Sequence, residues 1–170
     1  PRNATIQTIA GGARFGHGMN DWGDRFLCNI RNPAQHVVFD GTLSARNPLL
    51  PVPNPVYDAR ASGDQLPVLR ISPIEPWREL RAKRWVNENH AVPRSELVAG
   101  GVFTSAAGIT IYRGAAYPAE YHGQAFVAEV ANNLVQRQRV VKDGVTFKIE
   151  TADKDAEFID LALSSLKMGA

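Results

Sequence analysis

Short stretches of alternating polar and apolar residues, separated by turn formers, run along most of this chain and predict strands. Residues 5–9 alternate as a half-buried strand does, 25–30 repeat the pattern, and 36–39 repeat it before the turn pair Asp40-Gly41. Four prolines fall within residues 47–55. They predict an extended stretch, because each removes a backbone donor and biases its predecessor away from helix. Residues 59–65 read as polar loop and 67–71 as a short strand. Strand pattern resumes at 97–104 and 109–112, around the small-residue turn Ser105-Ala106-Ala107-Gly108. The clearest hairpin joins 124–130 to 134–141 through Ala131-Asn132-Asn133, where asparagine tolerates positive φ. Lys142-Asp143-Gly144 then turns into a last strand, 145–151.

One segment breaks this rhythm. Pro76 suits a first helical turn, and Glu75 and Glu79 favour its positive end. Trp77, Leu80, Arg81, Arg84 and Trp85 follow at three- and four-residue spacings. They predict a helical insertion over residues 76–89, its tryptophans packed inward under arginine stems. Consecutive antiparallel strands joined by short turns form a meander, and a four-stranded meander is a β-propeller blade. One such segment precedes the helix and one follows it. The predicted fold is mainly β: antiparallel four-stranded meanders of a partial β-propeller over residues 1–159. Residues 160–170 form a tail outside that rhythm.

Composition narrows the function classes. The net charge is +2, and Lys and Arg form no long block, which argues against a nucleic-acid partner. The single cysteine, Cys28, excludes an internal disulfide and a cysteine-pair metal site, and its place in a strand predicts a small buried apolar residue. No apolar run approaches a membrane span, and no signal peptide is visible. The chain starts at Pro1, so a trimmed leader is one expectation and the compartment stays open. No nucleotide-binding glycine loop, serine-hydrolase elbow or zinc-protease motif occurs, so any chemistry comes from residues scattered over loops.

Six residues are candidates. Asp21 and Asp24 share a glycine-rich turn with His17; the two carboxylates either bind one oxygen-seeking cation such as Ca²⁺ or cap the turn. His36 opens a strand, as a general base or as a histidine bonded within the sheet. In a propeller, inner strand ends and loops line the central channel, which would place Asn32 and His36 before a ligand. Arg113 ends a strand and either meets a substrate carboxylate or sugar hydroxyl or forms a solvated salt bridge. His122 reads as a turn residue.

Three stretches resemble a known family. They run from Phe15-Gly16 through Asp21-Trp22-Gly23-Asp24-Arg25-Phe26 to Val38, from Ala45-Arg46-Asn47-Pro48 through Arg70 to Arg78, and from Phe103 through Tyr112-Arg113-Gly114 and Tyr121-His122-Gly123 to Asn133-Leu134-Val135. The chain resembles the β-propeller domain of the bacterial putative membrane-bound dehydrogenases, distant kin of quinoprotein sugar dehydrogenases. That resemblance implies a propeller, a periplasmic or exported setting and ancestry in sugar oxidation. Gln136-Arg137 departs from the histidine expected after Asn-Leu-Val, and no Cys-x-x-Cys-His haem motif is present. The resemblance stops near residue 159, which predicts a truncated propeller that buries its open faces in a homo-oligomer.

These readings lead to one expectation and two alternatives. The expectation is a lactonase-like hydrolase of small cyclic esters. His17 or His36 would activate water, Asp21 and Asp24 would hold Ca²⁺, and Asn32 and Arg113 would bind substrate. The alternatives are a non-catalytic self-associating module and a segment of a sugar dehydrogenase.

Overall fold

The computed structural model describes residues 11–39, 41–47, 49, 54–61, 65–70, 73–80, 83 and 101–160. The expected strand at 5–9, the helix beyond residue 83 with Trp85, and the tail from 161 lie outside them.

The described residues form two antiparallel sheets. In the first, β1 (His17–Met19), β2 (Arg25–Leu27), β3 (Gln35–Val37) and β4 (Val56–Asp58) lie side by side in chain order. A short helix, α1 (Gly41–Ala45), precedes β4. The second runs β5 (Ala106–Ile111), β6 (Ala125–Glu129), β7 (Leu134–Asp143) and β8 (Thr146–Thr151), with β9 (Ile159–Asp160) paired to the start of β7. The fold is mainly β, as the alternation predicts.

Local chemistry explains the second sheet. Along β6 and β7, Ala125, Val127, Glu129, Leu134, Gln136 and Gln138 turn inward at every second position and are buried. Asn133 takes φ 56° between these strands, and Gly144 takes φ 58° between β7 and β8. The expected turn at residues 105–108 is corrected: Ala106 to Gly108 belong to β5, which carries a bulge between Ala106 and Ile109. Ala106, Ile109 and Ile111 are all buried, although the first two are three residues apart. The bulge supplies the extra residue that returns Ile109 to the inner face.

The first sheet is shorter than its pattern predicts. β2 ends at Leu27 because Asn29 and Asn32 close a loop with reciprocal backbone hydrogen bonds of 2.9 and 3.1 Å. β1 forms within the glycine-rich stretch that read as turn, and β4 forms from the three residues between the proline-rich stretch and the polar loop. The helix is also corrected in character. Residues 76–80 are helical, yet Trp77 is 60% exposed. Polar contacts anchor this segment instead: Arg78 donates to Thr104 Oγ1 at 3.0 Å and to the Ala131 carbonyl, and Asn133 Nδ2 donates to Glu75 Oε1 at 3.0 Å.

The sheets pack face to face around Phe26, Cys28, Phe103, Ile109, Val127 and Ile149. Their first strands, β1 and β5, abut. A Cβ on Gly18 would stand 3.1 Å from both the Ile109 oxygen and the Ile111 nitrogen, so only glycine fits there without displacement. At the far edges, Ile149 N–H donates to the Ala59 carbonyl at 2.8 Å. Among the described residues, no helix is long and apolar enough to cross a membrane.

Candidate functional site

The β1–β2 turn, the β5–β6 connection and the β7–β8 hairpin meet at one end of the paired sheets. They enclose a cleft of about 250 Å³ lined by Asp21, Trp22, Arg113, His122, Lys142 and Phe147, among others. Asn20 builds the first wall. Its Oδ1 accepts from Trp22 N–H at 3.1 Å and Asp24 N–H at 2.9 Å, an Asx turn closed by Gly23 at φ 84°. That turn leaves Trp22 89% exposed at the cleft mouth and presents the Asp21 carboxylate to the opposite wall. Arg113 Nε donates to Asp21 Oδ1 at 2.5 Å, and His122 Nε2 lies 3.5 Å from Asp21 Oδ2.

Below the cleft sits His36, only 3% exposed. Its ring centroid lies 5.5 Å from that of Phe26 and 4.9 Å from that of Phe147, so it bridges the sheets. Nδ1 shares a hydrogen bond with Thr146 Oγ1 at 3.0 Å, and Nε2 is 3.9 Å from Asp24 Oδ1. Burial pushes the imidazole below its ordinary pKa; Asp24 pulls it upward and Lys142 downward. The neutral form is thereby favoured.

The six expected residues therefore separate into two pairs and two outliers. Asp21 joins Arg113, and Asp24 faces His36. His17 is exposed on β1, and Asn32 lies in the β2–β3 loop at the opposite end of the first sheet. The two aspartates do not form a ready cation site. Asp21 is engaged by Arg113 and His122, while Asp24 Oδ2 accepts from Asn20 Nδ2 at 2.8 Å. A shared Ca²⁺ would have to break both arrangements, and among the described residues no group of three or more His, Cys, Asp or Glu is placed to hold a metal ion.

His122 is the residue the sequence hides. It stands 101 positions from Asp21 in the chain, within a Glu120-Tyr121-His122-Gly123 turn that carries no motif. Asn20 had a legible signal, since asparagine ahead of Asp-Trp-Gly is a turn builder.

No curated protein matches the chain, and no solved structure matches it. A family model described as a domain of unknown function, DUF7133, matches residues 1–162. The chain belongs to the DUF7133 family.

Proposed function

We propose that this chain is a pair of neighbouring β-propeller blades whose role is assembly, copies joining through the sheet faces that the pair leaves open. The contact of β1 with β5 at Gly18 carries this reading. Each sheet is built on a four-stranded meander in chain order, the second with β9 added beside β7, and the first strand of one meander lies against the first strand of the other. A propeller likewise sets four-stranded antiparallel sheets side by side around an axis. The resemblance to the propeller domain of putative membrane-bound dehydrogenases supports the same architecture, and the sugar-dehydrogenase reading rests on that resemblance alone. Light scattering of the purified chain tests the proposal: a mass that is a multiple of 18.6 kDa supports it, and a stable monomer overturns it.

A second reading is favoured by one observation, the Asp21–His122–Arg113 cluster in the cleft. We propose lactone hydrolysis there without a metal step. His122, oriented by Asp21, takes a proton from water as the hydroxide adds to the ring carbonyl. Arg113 stabilises the oxyanion. The ring C–O bond then breaks and the leaving oxygen takes the proton back, giving the open hydroxy acid. Hydrolysis of a lactone panel, with and without chelator, tests this. The expected result is turnover that survives chelator and falls on the order of 100-fold in His122→Gln. Turnover equal in His122→Gln and the unaltered chain would contradict it.

A further inference from the structure

Lys142 lines the cleft at Asp21 but has no part in the hydrolysis proposed there. It lies near the end of β7, directly opposite Phe147 of β8. Opposite residues of an antiparallel pair share a face of the sheet. The Lys142 Nζ accordingly sits 4.3 Å from the centroid of the Phe147 ring, which lines the same cleft. Its charge is felt at His36 below, whose imidazole it pulls downward. Among the described residues, no carboxylate forms an ion pair with Lys142.

The other charges of the cleft balance. Arg113 is paired with Asp21 at 2.5 Å, and His122 lies 3.5 Å from the second oxygen of that carboxylate. With His122 neutral, as a general base must be, Lys142 leaves the cleft one positive charge in excess. Trp22, Ile111, Val140 and Phe147 supply apolar wall. The volume of about 250 Å³ falls below the roughly 300–1,000 Å³ of sites for drug-sized ligands, so the cleft suits a single small ring. We propose that Lys142 selects a ring compound carrying one carboxylate, so that the lactone of the second reading is a carboxylated one. The inference rests on that reading for the reaction and on Lys142 for the choice of ligand. The ammonium donates to the carboxylate, and the ring lies on the apolar wall. The ring carbonyl is left to Arg113 and His122. Water adds, the ring C–O bond breaks, and the product is a hydroxy dicarboxylate with one proton released to solvent.

Saturation-transfer NMR with tetrahydrofuran-2-carboxylate, whose ring holds no bond to hydrolyse, is the test. Binding to the unaltered chain is expected with Kd on the order of 1 mM. Tetrahydrofuran-2-carboxamide, similar in shape but uncharged, should bind about fivefold more weakly. Added salt should narrow that gap. Lys142→Gln should erase the preference. Lys148→Gln, outside the cleft and paired with Glu150 at 2.7 Å, should preserve it. Equal binding of the two probes, a preference that survives Lys142→Gln, or one that disappears in Lys148→Gln would each overturn the proposal. The two probes decide the question on the unaltered chain even if Lys142→Gln fails to fold. Turnover of neutral lactones without any preference for the carboxylate probe would overturn this inference alone. A preference for the carboxylate probe without turnover of any lactone would remove the hydrolysis and leave Lys142 as the carboxylate anchor.

Discussion

His36 carries more consequence than any other single residue of the described chain. It fills the space between Phe26 and Phe147 and so joins the two sheets. Its imidazole is held below the ordinary value of 6.5, chiefly by burial. The unfolded chain therefore binds a proton more readily than the folded one. As pH falls from about 6.5 through the lowered folded pKa, stability is lost, and below that pKa this contribution is flat. Urea unfolding at stepped pH should show the decline, and His36→Gln should flatten it; an unchanged slope in the variant would place the titration elsewhere. His36 was legible as a candidate because a histidine following a polar loop at the start of a predicted strand can serve as a general base. Its burial was not, since the residue that covers it, Phe147, is more than a hundred positions away.

Among elements, β5 and its contact with β1 matter most. Gly18→Ala would drive a Cβ against backbone atoms of β5 at 3.1 Å, and backbone yields less readily than side chains. A loss of about 1–3 kcal/mol in urea unfolding is expected; full retention of stability would show that the strands do not meet so closely. At the other end of β6, buried Glu129 accepts from Ser105 N–H at 2.7 Å, Ala131 N–H at 3.2 Å and Asn132 Nδ2 at 3.3 Å. Burial nevertheless raises its pKa, against those hydrogen bonds and the nearby Arg78. Glu129→Ala strands these donors and should cost about 2–4 kcal/mol, measured in the same way. The β6–β7–β8 meander was legible because its strand segments are bounded by short turns, each with a residue suited to positive φ. The bulge in β5 was not, because Ala106-Ala107-Gly108 looks like a turn when its neighbours across the sheet are unknown. Strands β1 and β4 were missed because glycines surround the first and prolines precede the second, and both signal turns or extended chain.

For the whole molecule, the mainly-β architecture followed from pattern alone, whereas the site did not. Asp21 and Arg113 were singled out separately, and only the packing of two sheets brings them together with His122. The same packing gives Asp24 its own partners, Asn20 and His36, apart from those of Asp21. Two sheets stacked face to face leave each with a second face. In the first sheet that side shows Met19 at 41% exposure, and beyond the strands Phe39 and Leu43 are also exposed. Surfaces of this kind favour association. The central proposal is that the open faces of these two sheets join copies of this chain. Multi-angle light scattering across a dilution series tests it most directly. The account predicts a discrete assembly whose mass is a whole multiple of 18.6 kDa and which persists on dilution. A homogeneous, folded 18.6 kDa monomer at every concentration would contradict it.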